Sequence, residues 1–442
     1  MIVKEKPILF TKRRFLPYFC TQVLGAFNDN VFKNVLLLLV AFVAPGTLFI
    51  DSNLIINLAA GLFILPFFLF SASAGLLADK YEKSWLIRRI KLAEVVIMLL
   101  AGGALFTESY SALLLLLFLM GTQSAFFGPV KYAILPQHLN DSELVPGNAF
   151  VEAGTFLAIL LGTLLAGLIA EQPNANNIAA IAVIVFSLLG YLTSRSIPKS
   201  PACDPSIQFV WNPIKHTSQA IQLVKGNKTV YSCILAISWF WFLGASYLTQ
   251  FAQFTKLYLG GTASAVSVLM ALFSVGIALG SLLCSRLSGH RIEPGIVPIG
   301  SLGLTLFGAD LLFSTPSSIP AYTDIIGFIC NPALTHVFVD LLMIGISGGL
   351  FIVPLYAMVQ QRIKRQQLAR TIAVNNIINA IFMVMSAIAG MVLLGAAGVS
   401  IPLFFFLLAV INAFVVLYLF HQVPEFIQCF TSWFTGRCVS RY

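Results

Sequence analysis

Apolar runs long enough to cross a bilayer as helices recur along the whole chain. They fall at about 15–44, 53–78, 90–107, 111–134, 146–170, 175–194, 229–256, 264–286, 295–313, 333–361, 369–397 and 400–420. The pattern predicts twelve spans, with one long polar stretch, 196–227, dividing six from six. The first run carries an anomaly. In LGAFNDNVFKNVLLLLVAF, the residues Asn28, Asp29, Asn30, Lys33 and Asn34 interrupt a segment otherwise suited to oil.

Composition supports the pattern. The chain has 442 residues, 58% hydrophobic and 10% charged, with a mean hydropathy of +0.91. No soluble domain of this length could bury that much apolar surface, so the expected fold is an all-α membrane protein with the lipid bilayer as its partner. The first run is too long, and lacks the small-residue site, for a cleavable signal peptide, so none is expected. Twenty-four of the 26 Lys and Arg residues fall on one side of the twelve-span map, with Lys256 opposite and Lys33 inside the membrane. That bias places both termini in the cytoplasm, residues 79–89 and 196–227 on the same side, and 45–52 and 315–331 outside. It also accounts for the net charge of +9 without nucleic-acid binding. The organisation expected is a six-helix half over 1–195, a cytoplasmic linker with an amphipathic helix over 196–227, a second half over 228–421 and a cytoplasmic tail over 422–442.

The linker opens rich in proline, and Trp211, Ile214, Ser218, Ile221 and Val224 then give a weak apolar face. In the tail, Phe426, Phe430 and Trp433 share a face. Seven cysteines, from Cys20 to Cys438, have no C-x-x-C spacing, so reduced thiols serving as small apolar fillers are expected, with no metal site.

After the second run comes Gly75-Leu-Leu-Ala-Asp79-Lys80, and after the eighth Gly280-Ser-Leu-Leu-Cys284-Ser-Arg286. The first copy resembles the Gly-x-x-x-Asp-Arg/Lys signature of major facilitator transporters. There Gly75 permits close helix approach, and Asp79 can cap a neighbouring helix and meet a basic group in one conformation, so Gly75, Asp79 and Lys80 are candidate gating residues. In span five, Gly154, Ala158, Gly162, Ala166 and Ala170 form a small-residue ridge, expected to meet Gly276, Gly280 and Cys284 in span eight.

Charges inside the membrane are costly and face a cavity or a partner. Asp29 and Lys33, four apart near the middle of span one, can pair. They form either a self-neutralising structural pair or the polar lining of a site. Lys131, in Gly128-Pro129-Val130-Lys131-Tyr132, either snorkels to the interface or points inward after a proline kink, and Glu152 in span five reaches a similar depth. Glu94 in span three is the weaker candidate. Span eleven carries an amide-rich face, Thr371, Asn375 and Asn379 with Asn376 beside it, and span seven a face of Ser246, Gln250 and Gln253. In span ten His336 and Asp340 are four apart, as a proton relay or a structural pair, while Asp310 near the end of span nine is expected to be solvated.

The stretches AFNDNVFKN, FFGPVKYAILPQHL, PGNAFVEAGTFLAILLGT, RIEPGIVPIGSLG, VPLYAMVQQR and NNIINAIFMV are similar to those of the bacterial lysophospholipid transporter family, a branch of the major facilitator superfamily. The resemblance runs from about Phe15 to His421 and implies the major facilitator fold in two six-helix halves. It implies a monomer in the bacterial inner membrane that moves lysophosphatidylethanolamine, and lysophosphatidylglycerol beside it, from the outer to the inner leaflet by alternating access. There an acyltransferase re-acylates them. Some members are fused to that enzyme and to an acyl-carrier-protein synthetase, but no His-x-x-x-x-Asp motif occurs here. By position, Asp29 and Lys131 match charged residues lining the family's cavity, and Asn30, Glu152 and Asn376 match its polar stretches. With Lys33 these are the candidate substrate-binding residues. A zwitterionic headgroup needs a carboxylate for its ammonium and a cation for its phosphate, which this set supplies. A proton-driven exporter of a drug, siderophore or other amphiphile is the alternative. No nucleotide loop or nucleophile–base set suggests an enzyme, no catalytic residue is assigned and no cofactor is implied.

Overall fold

A computed structural model describes residues 9–42, 52–316 and 324–435. Twelve long helices occur among them: α1 (Leu16–Phe42), α2 (Ser52–Lys80), α3 (Lys83–Phe106), α4 (Tyr110–Ala133), α5 (Asp141–Ala170), α6 (Ala175–Arg195), α7 (Lys228–Tyr258), α8 (Ala263–Leu287), α9 (Ile296–Ser314), α10 (Pro332–Arg362), α11 (Leu368–Gly390) and α12 (Ile401–Gln422). Eleven are long and apolar enough to cross a membrane. The exception is α3, whose first half carries Lys83, Arg88, Arg89, Lys91 and Glu94.

The bounds follow the apolar runs except at two starts, where side-chain caps draw polar residues into the helix. Glu82 caps α3, accepting hydrogen bonds from the Ser84 and Trp85 N–H groups at 3.0 and 2.8 Å. A capping box of Asn140 and Glu143 starts α5 five residues before Pro146. At its other end, α11 continues as a π-helical turn, Met391–Ala396. The expected outer loops fall partly outside the described residues, as do Lys4, Lys6, Arg437, Arg441, Cys438 and the side chain of Trp433.

The chain forms two compact units. One comprises Met1–Glu143, Ala158–Val224 and Ile363–Ile377; the other comprises Leu144–Leu157, Lys225–Arg362 and Ile378–Tyr442. In the first, α2 packs on α4, and α6 on α1 and α3, around Val31, Phe32, Met98, Leu117, Met120 and Val183. In the second, α10 is the hub, packed on α8, α9 and α7.

The small residues pack as such residues do in lipid. A Cβ at Gly162 would lie 2.7 Å from the Phe27 carbonyl and 3.0 Å from the Asn30 Cβ, so the ridge of α5 meets α1 there. Gly276 and Gly280 face the backbone of α10 around Leu342, Gly345 and Ile346. Spacing marks a smooth face but does not specify which neighbour fills it.

The linker is bound to the fold. Ser200 N–H donates to Glu82 Oε1 at 2.6 Å, and Cys203 and Asp204 N–H donate to the Asp79 carbonyl at 3.1 and 2.9 Å. Burial alone would raise the pKa of Glu82, but its hydrogen bonds from Ser84, Ser200 and Trp85 outweigh it and hold the carboxyl below its ordinary range. Cys203 is more than a filler, since its Sγ accepts from Lys83 Nζ at 3.1 Å and Gln137 Nε2 at 2.9 Å. A helix follows at Pro213–Lys225. Its buried face is His216, Ala220 and Val224, whereas Trp211 and Ile214, on the apolar face expected to lie at the membrane interface, are exposed. The tail helix, Glu425–Thr435, buries Phe426 and ties to α10 through Arg362 and Glu425 at 2.5 Å.

Candidate functional site

The polar residues of α1 fan out to different helices, because consecutive helix positions are about 100° apart. Asn28 is fully buried, and its amide donates to Glu94 Oε1 of α3 at 3.3 Å. Asp29 turns to α4, where Ser124 Oγ donates to its Oδ2 at 2.7 Å. Asn30 stays on its own helix, donating to the Ala26 carbonyl at 2.8 Å and accepting from Lys33 Nζ at 3.3 Å. Asn34 donates to Thr163 Oγ1 of α5 at 2.9 Å.

The expected ion pair of Asp29 and Lys33 is not formed. Asp29's hydroxyl partner is on another helix, and the Lys33 ammonium lies 5.6 Å from the centre of the Phe63 ring. The second Asp29 oxygen, Oδ1, is buried and accepts no hydrogen bond from the protein. The buried ion pair of this region is instead Lys91–Glu94, 2.6 Å apart with both side chains 1% exposed. Glu94, the weaker candidate by sequence, also accepts from Gln123 Nε2 at 3.0 Å. Three donors from α1, α3 and α4 therefore converge on one carboxylate. The ammonium of Lys91 occupies space that a side chain at Gly25 would fill. Sequence reading placed Lys91 at the cytoplasmic surface. The signals that could have moved it inward were its i,i+3 spacing to Glu94 and the polar pair Gln123-Ser124 in the middle of the fourth apolar run.

Lys131 lies seven residues beyond Ser124 on α4, hence two turns and about 10 Å further along nearly the same face. Its ammonium is 5.1 Å from the Tyr132 ring centre, and its carbonyl accepts from Tyr18 Oη at 2.6 Å. In the same unit, the Asn376 amide lies against Gly128, where a Cβ would overlap it, and Asn376 Nδ2 is buried without a hydrogen-bond partner. Both polar side-chain atoms of Asn375 are in the same condition. In the other unit Asn148 and Gln360 exchange two amide hydrogen bonds, at 2.6 and 3.1 Å, one turn from the fully buried Glu152. Ser238 donates to Asn379 Oδ1 at 2.7 Å, Ser246 Oγ lies 2.9 Å from Ser386 Oγ, and Trp241 stacks on Phe156 with 5.8 Å between ring centres.

Asp79 is fully buried at the end of α2. Its carboxylate accepts from the Ala369 and Arg370 N–H groups at 3.3 and 3.4 Å and from Arg370 Nε at 3.0 Å. One carboxylate thus caps the N-terminus of α11 and binds a guanidinium. Gly75 makes this approach possible, since a Cβ there would fall 2.8 Å from the Ala369 carbonyl and 2.9 Å from the Arg370 Cα. Lys80 lies outside this contact, its ammonium 5.5 Å from the Tyr81 ring centre.

Among the described residues one group of side chains has metal-ligand character: Asp310, His336 and Asp340. His336 Nε2 is 2.9 Å from Asp310 Oδ2 and 4.0 Å from Asp340 Oδ2, so the nearer partner is the residue expected to be solvated.

Long apolar helices of this number and packing are the architecture of a polytopic membrane protein. The chain belongs to the Major Facilitator Superfamily, whose family model matches residues 19–342. It is similar to the lysophospholipid transporter LplT of Klebsiella pneumoniae, 28% identical over 387 residues that cover 85% of this chain and 87% of the relative. The LplT of Serratia proteamaculans is 27% identical, with coverage of 84% and 86%. The fold is shared with the human organic anion transporter MFSD10 (TM-score 0.71, 14% identity, 93% of this chain and 100% of that chain). It is shared too with the Escherichia coli fucose:proton symporter FucP (TM-score 0.66, 14% identity, 93% and 99%).

Proposed function

We propose that this chain carries lysophospholipids, lysophosphatidylethanolamine first and lysophosphatidylglycerol second, from the outer to the inner leaflet of a bacterial inner membrane. It does so as a monomer with both termini in the cytoplasm, and an acyltransferase that restores the missing chain consumes its product. The similarity to the two LplT proteins supports the substrate class. The observation that carries the reading is Asp29, whose Oδ1 is buried with no hydrogen-bond donor while Oδ2 is held by Ser124. An oxygen so held is set to accept the ammonium of an ethanolamine headgroup, at the membrane depth where facilitator sites lie. Lys131, two turns along the same face of α4, receives the phosphate. Asn30, Lys33 and Asn376, in the same unit, complete the polar lining. Gly75 and Asp79 form a latch that holds the start of α11 in one conformation and releases it in the other, with Lys80 beside it.

Uptake of labelled lysophosphatidylethanolamine into proteoliposomes tests this. Asp29 forms no salt bridge among the described residues, but it is the charge set against Lys33, so Asp29→Asn is read beside the variant that also removes Lys33. The expected result is a folded, inserted protein with uptake reduced at least tenfold. The double variant Asp29→Asn with Lys33→Gln is expected to fail equally. Near wild-type uptake by either variant, or transport of a cationic dye in place of the lipid by the unaltered protein, overturns the assignment.

A further inference from the structure

We propose that Asp310, His336 and Asp340 form a binding site for a divalent first-row transition metal ion at the ends of α9 and α10 remote from Arg291 and Arg362. The three side chains offer one imidazole nitrogen and two carboxylate oxygens, all within 4.8 Å of one another. They come from two helices that pack closely, and His336 and Asp340 share a face of α10 at i,i+4. That spacing is widely used to present two ligands to one ion.

Proximity alone would not distinguish such a site from a hydrogen-bonded cluster. The distinguishing observation is Asp340. Its side chain is 1% exposed, and its Oδ2 has no hydrogen-bond partner among the described residues. That same oxygen faces His336 Nε2 at 4.0 Å, too far for a hydrogen bond and suitable for two ligands flanking an ion. One turn after Asp310, the buried Ser314 hydroxyl lies beside the Asp340 carboxylate and offers a further oxygen. A buried carboxylate with an idle oxygen is costly, because burial removes its water and nothing replaces it. A cation replaces that water.

Asp310 and His336 are the open side of the site, with side chains 40% and 57% exposed. The ion therefore has an entry path and room for water to complete its shell. Three protein ligands with open positions suit Zn²⁺ or a neighbouring first-row ion. Mg²⁺ and Ca²⁺ favour oxygen-only sets and gain little from the imidazole. An ion bound there would replace the hydrogen bond between His336 and Asp310, with Nε2 as the ligand atom and the imidazole proton carried on Nδ1. The bound ion would tie the ends of α9 and α10 together.

The test is calorimetric titration of Zn²⁺ into the purified full-length chain, free of any histidine tag, in detergent. One equivalent is expected to bind, with at least tenfold weaker binding in His336→Gln and in Asp340→Asn and no change in His290→Gln. Excess Mg²⁺ is expected not to compete. His336 is exposed, so His336→Gln keeps the test open even if a substitution at buried Asp340 impairs folding. Equal binding by the unaltered protein and His336→Gln, binding only at millimolar Zn²⁺, or displacement by equimolar Mg²⁺ would each overturn the proposal. Transport is not part of the readout, so failure here leaves the lipid assignment untouched.

Discussion

Two acidic side chains in the first unit are surrounded very differently. Glu94 accepts from Lys91, Gln123 and Asn28, so its charge is neutralised and its oxygens are occupied. Asp29 is held by one serine hydroxyl and keeps an oxygen unused. A closed network of this kind fixes the packing of the helices that supply it, and losing one member strands the others. The open carboxylate stabilises little and remains free to bind a ligand. The acid that holds helices together and the acid proposed to bind the lipid are therefore different residues.

The comparison can be broken most severely at the closed network. Glu94→Leu leaves the Lys91 ammonium buried without its partner and should cost about 3–5 kcal/mol, read as a large drop in thermal unfolding temperature in detergent. Lys91→Met with Glu94→Leu removes both charges and is expected to recover most of that loss. Equal damage from the single and the double variant would show that the pair is not the centre of the network.

The next largest effect is steric. Gly162→Leu drives a side chain into the Phe27 carbonyl and Asn30 and should cost about 1–3 kcal/mol while lowering uptake, because it displaces the part of α1 that carries Asp29. Unchanged stability and uptake would place that face of α5 toward lipid. At the open carboxylate the stability effect shrinks further: Asp29→Asn should shift stability by under about 1 kcal/mol although uptake is lost. A shift as large as that of Glu94→Leu would mean that Asp29 is structural as well.

The smallest effect lies outside the bilayer, where His216 docks the linker helix through Ser73 Oγ at 2.9 Å. Burial disfavours the imidazolium and lowers its pKa from the usual 6.5, with Lys215 adding to the shift and a hydrogen bond involving the Val210 backbone opposing it. The docked helix thus keeps its full stability above the ordinary histidine value. It loses stability as pH falls below that value, because only the undocked state gains the proton freely. Hydrogen exchange across 213–225 should be faster at pH about 5.5 than at about 7.5, and His216→Gln should abolish the difference. Exchange that slows on acidification would reverse the sign of the argument.

The sequence by itself determined the helices, because a bilayer accepts hardly any other backbone and its thickness sets a length that hydropathy reveals. The Asp79 contact was also legible, through the resemblance of Gly75-Leu-Leu-Ala-Asp79-Lys80 to the facilitator signature. What could not be read was which helix each polar or small residue faces. Asn28, Asp29 and Asn30 are adjacent in the chain, yet the first two point to different helices and the third bonds back to its own. The small ridges of α5 and α8 were recognisable, but their partners, α1 and α10, were not. Helix periodicity places a residue on a face, whereas the rotation of each helix about its axis is set by packing summed over all its neighbours. That sum chose Asn28 and Gln123 for Glu94 and Ser124 for Asp29. It also brought Asp310 beside His336, two residues separated by a loop that gives no hint of the meeting. Local spacing determines what a span can present, and only the tertiary structure decides what it meets.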